Sequence, residues 1–255
     1  MSFMESGIPG LDELFFGGFP RGKTILLSGP PGAGKTVFGM QFLVAGALAN
    51  EPGVFVAFDD LPGHIRRDMS SFNWEIESLE NVNPPLLTMV DGFASRVGLT
   101  TSERFQIRSN VDSLLITLMD VLKKTGATRI VIDSLTTLSS SVRSMDQVRK
   151  EILTLSAILG EQGCTTLLTA EMGGIASTSS EIVQSSGRFG VEEYSAQGAI
   201  VLNYIERSNG EFVRTVLIQK MRGHRHTFGW RQCQISETGF SVLPDSRLGK
   251  EVVKS

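Results

Sequence analysis

Cysteine is nearly missing from this sequence. Cys164 and Cys233 are the two among 255 residues, which rules out a disulfide framework or a thiolate zinc cluster. The three histidines, His64, His224 and His226, have no ligand spacing with cysteines or carboxylates. Basic residues are not in surplus either. With 24 Lys and Arg against 27 Asp and Glu, the net charge of -3 gives no general attraction to nucleic acid or an anionic membrane, although a local basic site remains open. No apolar run approaches the ~20 residues that cross a bilayer. Met1-Ser2-Phe3-Met4-Glu5 lacks the basic and apolar regions of a signal peptide. These absences lead to the expectation of a cytoplasmic protein in a reducing compartment, with no membrane partner. Trp74 and Trp230 stand isolated and read as packing residues.

Glycine, by contrast, is abundant at 27 residues, and it is concentrated where it matters. Gly29-Pro30-Pro31-Gly32-Ala33-Gly34-Lys35-Thr36 fills every fixed position of the phosphate-binding loop G-x-x-x-x-G-K-[ST]. The flanks fit. Lys23 to Ser28 reads as a buried strand, and Val37 to Leu43 opens a helix. Glycines let several backbone N–H groups converge on one anion, and the helix N-terminus behind them adds partial positive charge. Gly29, Gly32, Ala33, Gly34, Lys35, Thr36 and Val37 are therefore the candidate nucleotide contacts. Lys35 would reach the β- and γ-phosphates, and the Thr36 hydroxyl would bind Mg²⁺.

Further along, strands and helices alternate. Val54 to Phe58, Leu86 to Val90, Ile130 to Ile132 and Thr165 to Thr169 read as buried strands. Asn110 caps a helix whose apolar stripe is Leu114, Leu115, Leu118, Val121 and Leu122. A second helix aligns Val148, Ile152, Leu155 and Leu159. Residues 91–109 and the Gly/Ser-rich 173–190 read as loops, the latter long and flexible. From Ala199 onward the pattern becomes one of antiparallel strands and hairpins, with a turn at Glu237-Thr238-Gly239. The fold class is α/β, a mainly parallel sheet flanked by helices with a β-rich C-terminal end. Residues 1–247 are expected to form one domain and 248–255 a tail.

Three more clusters carry chemistry. Arg129-Ile130-Val131-Ile132-Asp133 runs an apolar strand into an acid, and after a phosphate loop such an Asp holds Mg²⁺; a turn-capping Asp is the plainer alternative. Asp59-Asp60 ends the strand that follows the phosphate-loop helix, where a carboxylate can orient water and accept its proton; a solvated turn is the alternative. In Lys220-Met221-Arg222-Gly223-His224-Arg225-His226, Lys220 and Arg222 alternate, so on a strand both project from one face. They would neutralise transition-state charge on a neighbouring subunit's nucleotide, as arginine fingers do, or else form a nucleic-acid patch or an ordinary solvated face. Glu171, at another strand end, either faces the γ-phosphate or accepts a structural hydrogen bond.

Taken in order, these residues resemble the KaiC-like ATPases of the RecA superfamily. The resemblance covers nearly the whole chain and includes Ser6-Gly7-Ile8-Pro9-Gly10-Leu11-Asp12, Ser71-Phe72-Asn73-Trp74, Asp133-Ser134, Gly190-Val191-Glu192-Glu193-Tyr194 and Lys220-Met221-Arg222-Gly223. It implies a RecA-type P-loop core assembled head-to-tail, usually as a hexamer, with ATP between subunits. The phosphate loop and Asp133 would act from one subunit, and Lys220, Arg222 and His226 from the next. Ser71 matches a family nucleotide contact on the loop side, and Ser236 and Glu237 match contacts to the nucleoside made from the neighbour.

The family's catalytic pair is usually Glu-Glu, whereas here it is Asp59-Asp60, one methylene shorter. Slow hydrolysis is therefore expected. Glu192-Glu193 stand where the second repeat of the family's clock protein carries phosphoacceptor Ser and Thr, so no autokinase activity is expected there. The leading expectation is an Mg²⁺-dependent ATPase working in a ring on ATP and ADP, with a protein partner left unidentified. One alternative is a nucleotide-gated assembly module without useful turnover. Another is a DNA-binding recombinase paralogue, disfavoured because 173–190 offers only Arg188 and Phe189 to a nucleic acid.

Overall fold

The computed structural model describes residues 2–107, 111–135, 145–171, 195–206 and 210–247. The Asn110 cap, the 173–190 loop, Glu192-Glu193 and the 248–255 tail lie outside these described residues. A small ribbon, β1 (Phe3–Met4) with β2 (Phe19–Pro20), brackets the short helix α1 (Leu11–Leu14). Next come β3 (Thr24–Gly29), α2 (Lys35–Leu48), β4 (Gly53–Ala57), α3 (Pro62–Met69), α4 (Ile76–Glu80) and β5 (Leu87–Asp91). They are followed by α5 (Ala94–Val97), β6 (Phe105–Gln106), α6 (Val111–Thr125), β7 (Arg129–Asp133), α7 (Met145–Glu161) and β8 (Thr165–Glu171). Four strands complete the order: β9 (Gly198–Glu206), β10 (Phe212–Met221), β11 (Arg231–Ser236) and β12 (Gly239–Arg247). Apart from the ribbon, all strands join one sheet in the order β12-β11-β10-β9-β3-β8-β7-β4-β5-β6. Pairing is parallel from β9 to β6 and antiparallel from β9 to β12.

The strands are apolar at nearly every position because both faces of the sheet are covered. Ile25, Leu27, Phe55 and Ala57 pack in the layer that holds Phe38 and Phe42 of α2, whereas Leu26, Val54 and Val56 pack in the layer of α6 and α7. The stripes expected on α6 and α7 are buried at Leu114, Leu118, Val121, Val148, Ile152, Leu155 and Leu159; Leu115 is only partly covered. α2 is apolar on most of its surface, as suits a helix enclosed on several sides. Its buried Gln41 donates to the carbonyls of Gly7 (2.9 Å) and Phe240 (3.0 Å) and accepts from the Phe240 N–H (2.6 Å). One side chain thus ties the N-terminal segment and the β11–β12 hairpin to the helix behind the phosphate loop. No helix among the described residues is long and apolar enough to cross a membrane.

Two sequence expectations need correction. In the segment expected as a loop over 91–109, the described residues 91–107 are not simply a loop: Asp91 Oδ1 accepts from the N–H groups of Phe93 (2.8 Å) and Ala94 (2.9 Å), starting α5, and β6 then adds an edge strand to β5. The segment is also clamped through Arg66, whose guanidinium donates to Glu80 and to Glu103. Nor do Lys220 and Arg222 share a strand face. β10 ends at Met221, and Gly223 at φ 73 with the His224 N–H bonded to the Met221 carbonyl puts Arg222 on a turn.

Candidate nucleotide site

β3 ends at Gly29, and the chain turns through Pro30 to Gly34 into α2, with Gly34 at its N-cap and φ 101. Any side chain at Gly34 is strained by that φ, and its Cβ would lie 2.6 Å from Ile235 Cδ1, which would have to move aside. Lys35 Nζ donates to the carbonyls of Gly29 (2.9 Å) and Pro30 (3.1 Å) and so folds over the loop. Burial pushes the Lys35 ammonium below the usual lysine range, and the carboxylates of Asp133, Glu171 and Asp59 oppose this. Those three acids stand at or just beyond the C-terminal ends of β7, β8 and β4. The site therefore lies where open α/β sheets take their ligands, outside the carboxyl ends of the strands.

Asp133 is the most constrained group here. It is 7% exposed. Thr36 Oγ1 donates to its Oδ2 at 2.7 Å, and Thr169 Oγ1 donates to its Oδ1. Burial pushes its carboxyl above the usual range, opposed by those two hydroxyls, while Asp59 pushes it further up and Lys35 pulls it down. The Thr36 hydroxyl and the Asp133 carboxylate form a hard-oxygen pair within one ion's reach, the kind of donor set Mg²⁺ accepts when phosphates and water supply the rest. Among the described residues no cluster of three or more metal-ligating side chains occurs.

The two acids after β4 diverge. Asp59 lies close enough to Lys35 and Asp133 to affect the charge of both. Asp60 Oδ1 accepts from the Leu61 N–H (2.7 Å) and pairs with His64 Nδ1 (2.8 Å), so it serves the start of α3.

Ser71 lies on a 3₁₀ turn, its hydroxyl donating to the Asp68 carbonyl at 3.1 Å. Beyond it Phe72 and Trp74 stack with ring centroids 4.8 Å apart. Trp74 faces the β11–β12 turn, for a Cβ on Gly239 would meet its Cζ2 at 2.6 Å. Ser236 and Glu237 sit on that turn, where the Ser236 and Thr238 hydroxyls are 3.0 Å apart. Since Ile235 abuts Gly34 and Phe240 packs on Phe38 at 5.4 Å, the turn overlies the same chain's loop. This differs from the neighbour placement that the resemblance implies for Ser236 and Glu237. The reason is the Gln41 clamp, which pins the hairpin to its own α2.

The cationic segment lies elsewhere. Lys220 pairs with Ala199, which pairs with Leu26, and the Arg222 N–H bonds to the carbonyl of Gln197, whose own N–H bonds to Thr24. Arg222 is thus level with the first residue of β3, whereas the phosphate loop leaves its last. At about 3.3 Å per residue the separation is roughly 15 Å or more. His226 continues the same segment; its buried Nδ1 has no hydrogen-bond partner among the described residues.

Sequence reasoning missed Thr169, Gln41 and the Phe72–Trp74 stack. A threonine at the end of the strand following Asp133 was the available signal for the first. Nothing in the local pattern marks Gln41, whose partners are 34 and 199 residues away.

A parallel sheet with a phosphate loop after its central strand and a buried acid at a second strand end defines a P-loop nucleotide-binding protein. Comparison with known proteins narrows this. The family model described as "ATPase: KaiC" matches residues 4–247, and the chain belongs to that family. A UPF0273 protein of Aeropyrum pernix is 34% identical over 98% of this chain and 97% of its own length. The circadian clock oscillator protein KaiC of Parathermosynechococcus lividus is 32% identical over 94% of this chain, which spans 42% of that protein. In structure, a KaiC-like protein from the archaeon Pyrococcus horikoshii OT3 superposes with a TM-score of 0.78 at 38% identity, covering 95% of this chain and 99% of its own.

Proposed function

We propose that the protein is an Mg²⁺-dependent ATPase that works as a ring, each nucleotide bound by one subunit and completed by cations of the next. The observation that carries this is the meeting of Lys35, Thr36, Asp133 and Asp59 at the C-terminal ends of the parallel strands, while Arg222 lies level with the opposite end of β3 and Lys220 level with its middle. In such a site the loop amides and Lys35 hold the phosphates, and Thr36 and Asp133 hold the metal. Bound there, Mg²⁺ would supply neutralisation of the triphosphate's charge. Asp59 positions water and accepts its proton, and Asp60 keeps the β4–α3 junction in place through Leu61 and His64. Ser71, Ser236 and Glu237 approach the nucleoside from the subunit that owns the loop. Lys220, Arg222 and His226 reach the copy next door; Arg222, level with Thr24, is out of range of its own loop.

The surface around the cations supports assembly. Phe228 is 75% exposed and Phe16 49%, with the Arg225 guanidinium over the Phe16 ring at 4.4 Å. The Thr227 N–H bonds to the Leu14 carbonyl and joins these groups into one face. Exposed aromatic rings beside cations suit burial against another copy. The ring size on this reading is the family's usual six. Carboxylates at Glu192-Glu193 accept no stable phosphoryl group, so autokinase activity there is not part of the proposal.

Asp59→Asn tests the base assignment. Turnover should fall by about 10²-fold or more with ADP binding retained; unchanged turnover removes Asp59 from the role. A second reading, a nucleotide-gated assembly module with little hydrolysis, is favoured by the engagement of Asp60 with Leu61 and His64, which gives the second acid of the pair to the start of α3. Single-turnover kinetics separate the two, because the module would bind ATP and assemble without releasing phosphate.

A further inference from the structure

We infer that Thr169 is a positioning residue that fixes which oxygen of Asp133 is presented to a divalent cation bound beside Thr36. The inference rests on the nucleotide-site reading above and extends it to a side chain outside the phosphate loop. Thr169 is fully buried, two residues before the end of β8, and β7 lies alongside in parallel register, Ile132 opposite Leu168. Its Oγ1 donates to Asp133 Oδ1 and lies 3.5 Å from the Ile132 carbonyl. Asp133 Oδ2 is held by Thr36 at 2.7 Å. The two carboxylate oxygens therefore have different tasks. Oδ1 is committed to an interior hydroxyl, and Oδ2 faces Thr36 in the first turn of α2.

This division has a physical consequence. A buried carboxylate with one oxygen unsatisfied is costly and free to rotate about its terminal torsion. A hydroxyl donor on Oδ1 stabilises the charged form and stops that rotation. A cation held by a lone pair of the Thr36 hydroxyl, which would keep its proton, would find the Asp133 Oδ2 edge already turned to that residue. Thr169 never touches the ion and acts only through Asp133. Supporting partners of this kind are worth about 10–100-fold in metal affinity.

The test measures ADP affinity by calorimetry, with Mg²⁺ and again with EDTA, for wild type, Thr169→Val and Thr169→Ser, alongside thermal unfolding without nucleotide. Valine keeps the shape and removes the donor. The Mg²⁺-dependent gain in ADP affinity should shrink by about 10-fold or more in Thr169→Val, while affinity in EDTA stays at the wild-type level. Serine should restore the gain. In an Asp133→Asn background the valine substitution should have no further effect, as expected when one residue acts through the other. Should valine not fold, Thr169→Ala carries the same comparison. A folded Thr169→Val with a wild-type Mg²⁺ gain, or with equal losses in Mg²⁺ and EDTA, overturns the inference and leaves the site reading intact. A wild type that binds ADP with no Mg²⁺ gain overturns both.

Discussion

Alanine at Arg222 is expected to slow steady-state ATP turnover by about 10³-fold or more, the scale of a transition-state arginine supplied in trans. The expectation rests on strand register. Antiparallel pairing of β10 with β9, and parallel pairing of β9 with β3, carry Arg222 to the level of Thr24, while the phosphate loop departs from Gly29. A side chain with a reach of about two strand residues cannot span that gap within one subunit. Arg222→Ala subunits should still bind ADP on their own loops. Mixing them with Lys35→Ala subunits, which keep Arg222 but cannot grip phosphate, should recover part of the turnover at mixed interfaces. Full activity in Arg222→Ala, or turnover independent of protein concentration by a species of monomer mass, would remove the shared site.

The second large effect concerns stability rather than chemistry. Arg129→Ala should destabilise the fold by about 2–4 kcal/mol, because the Glu5 and Phe42 carbonyls lose their donor and Glu51, which keeps Arg21, loses two charge-assisted bonds. Its side chain is 3% exposed and donates to Glu51 Oε2 (2.6 and 3.0 Å) and to the carbonyls of Glu5 and Phe42, both at 2.9 Å. It therefore joins the start of β7, the end of α2 and the N-terminal segment. Gly46 is part of the arrangement, for its Cβ would lie 2.3 Å from Arg129 Cδ. In a chain of this size the change should lower Tm by on the order of 10 °C in a calorimetric scan, and an unchanged Tm would show that the cluster is dispensable.

The same cluster sets a pH dependence. Burial alone would raise the Glu51 carboxyl, but the guanidinium groups of Arg21 and Arg129 outweigh it and hold it below the usual glutamate range. A folded-state pKa lowered in this way contributes stability above the unfolded value of 4.5 and loses it as pH falls through the folded one. Wild-type Tm should accordingly drop on acidification below that value, more steeply than in Glu51→Gln.

What the sequence reveals and what it hides follow from distance along the chain. The phosphate loop is legible because eight consecutive residues with fixed glycines carry the constraint. Asp133 is legible because an apolar strand running into an acid is a local pattern. Asp60 is a harder case: its partner His64 is one helical turn away, so i,i+4 spacing would have assigned it to α3 had the helix start been placed. Thr169 and Gln41 act across 36 and 199 residues on side-chain and backbone partners with no periodic signature. Arg222 was misread as a strand residue because Gly223, free to take φ 73, ends β10 one position early. Ser236 and Glu237 lie over their own chain's loop for a related reason. The position of Ser236 and Glu237 depends on which helix the last hairpin covers, and only packing decides that.

The most direct test is calorimetric titration of the purified protein with a non-hydrolysable ATP analogue and Mg²⁺. Saturable binding of one nucleotide per chain, lost in Lys35→Ala, is the predicted result. No measurable heat from a folded wild type, or binding undiminished by loss of Lys35, would contradict the claim that the Gly29–Thr36 loop grips the phosphates.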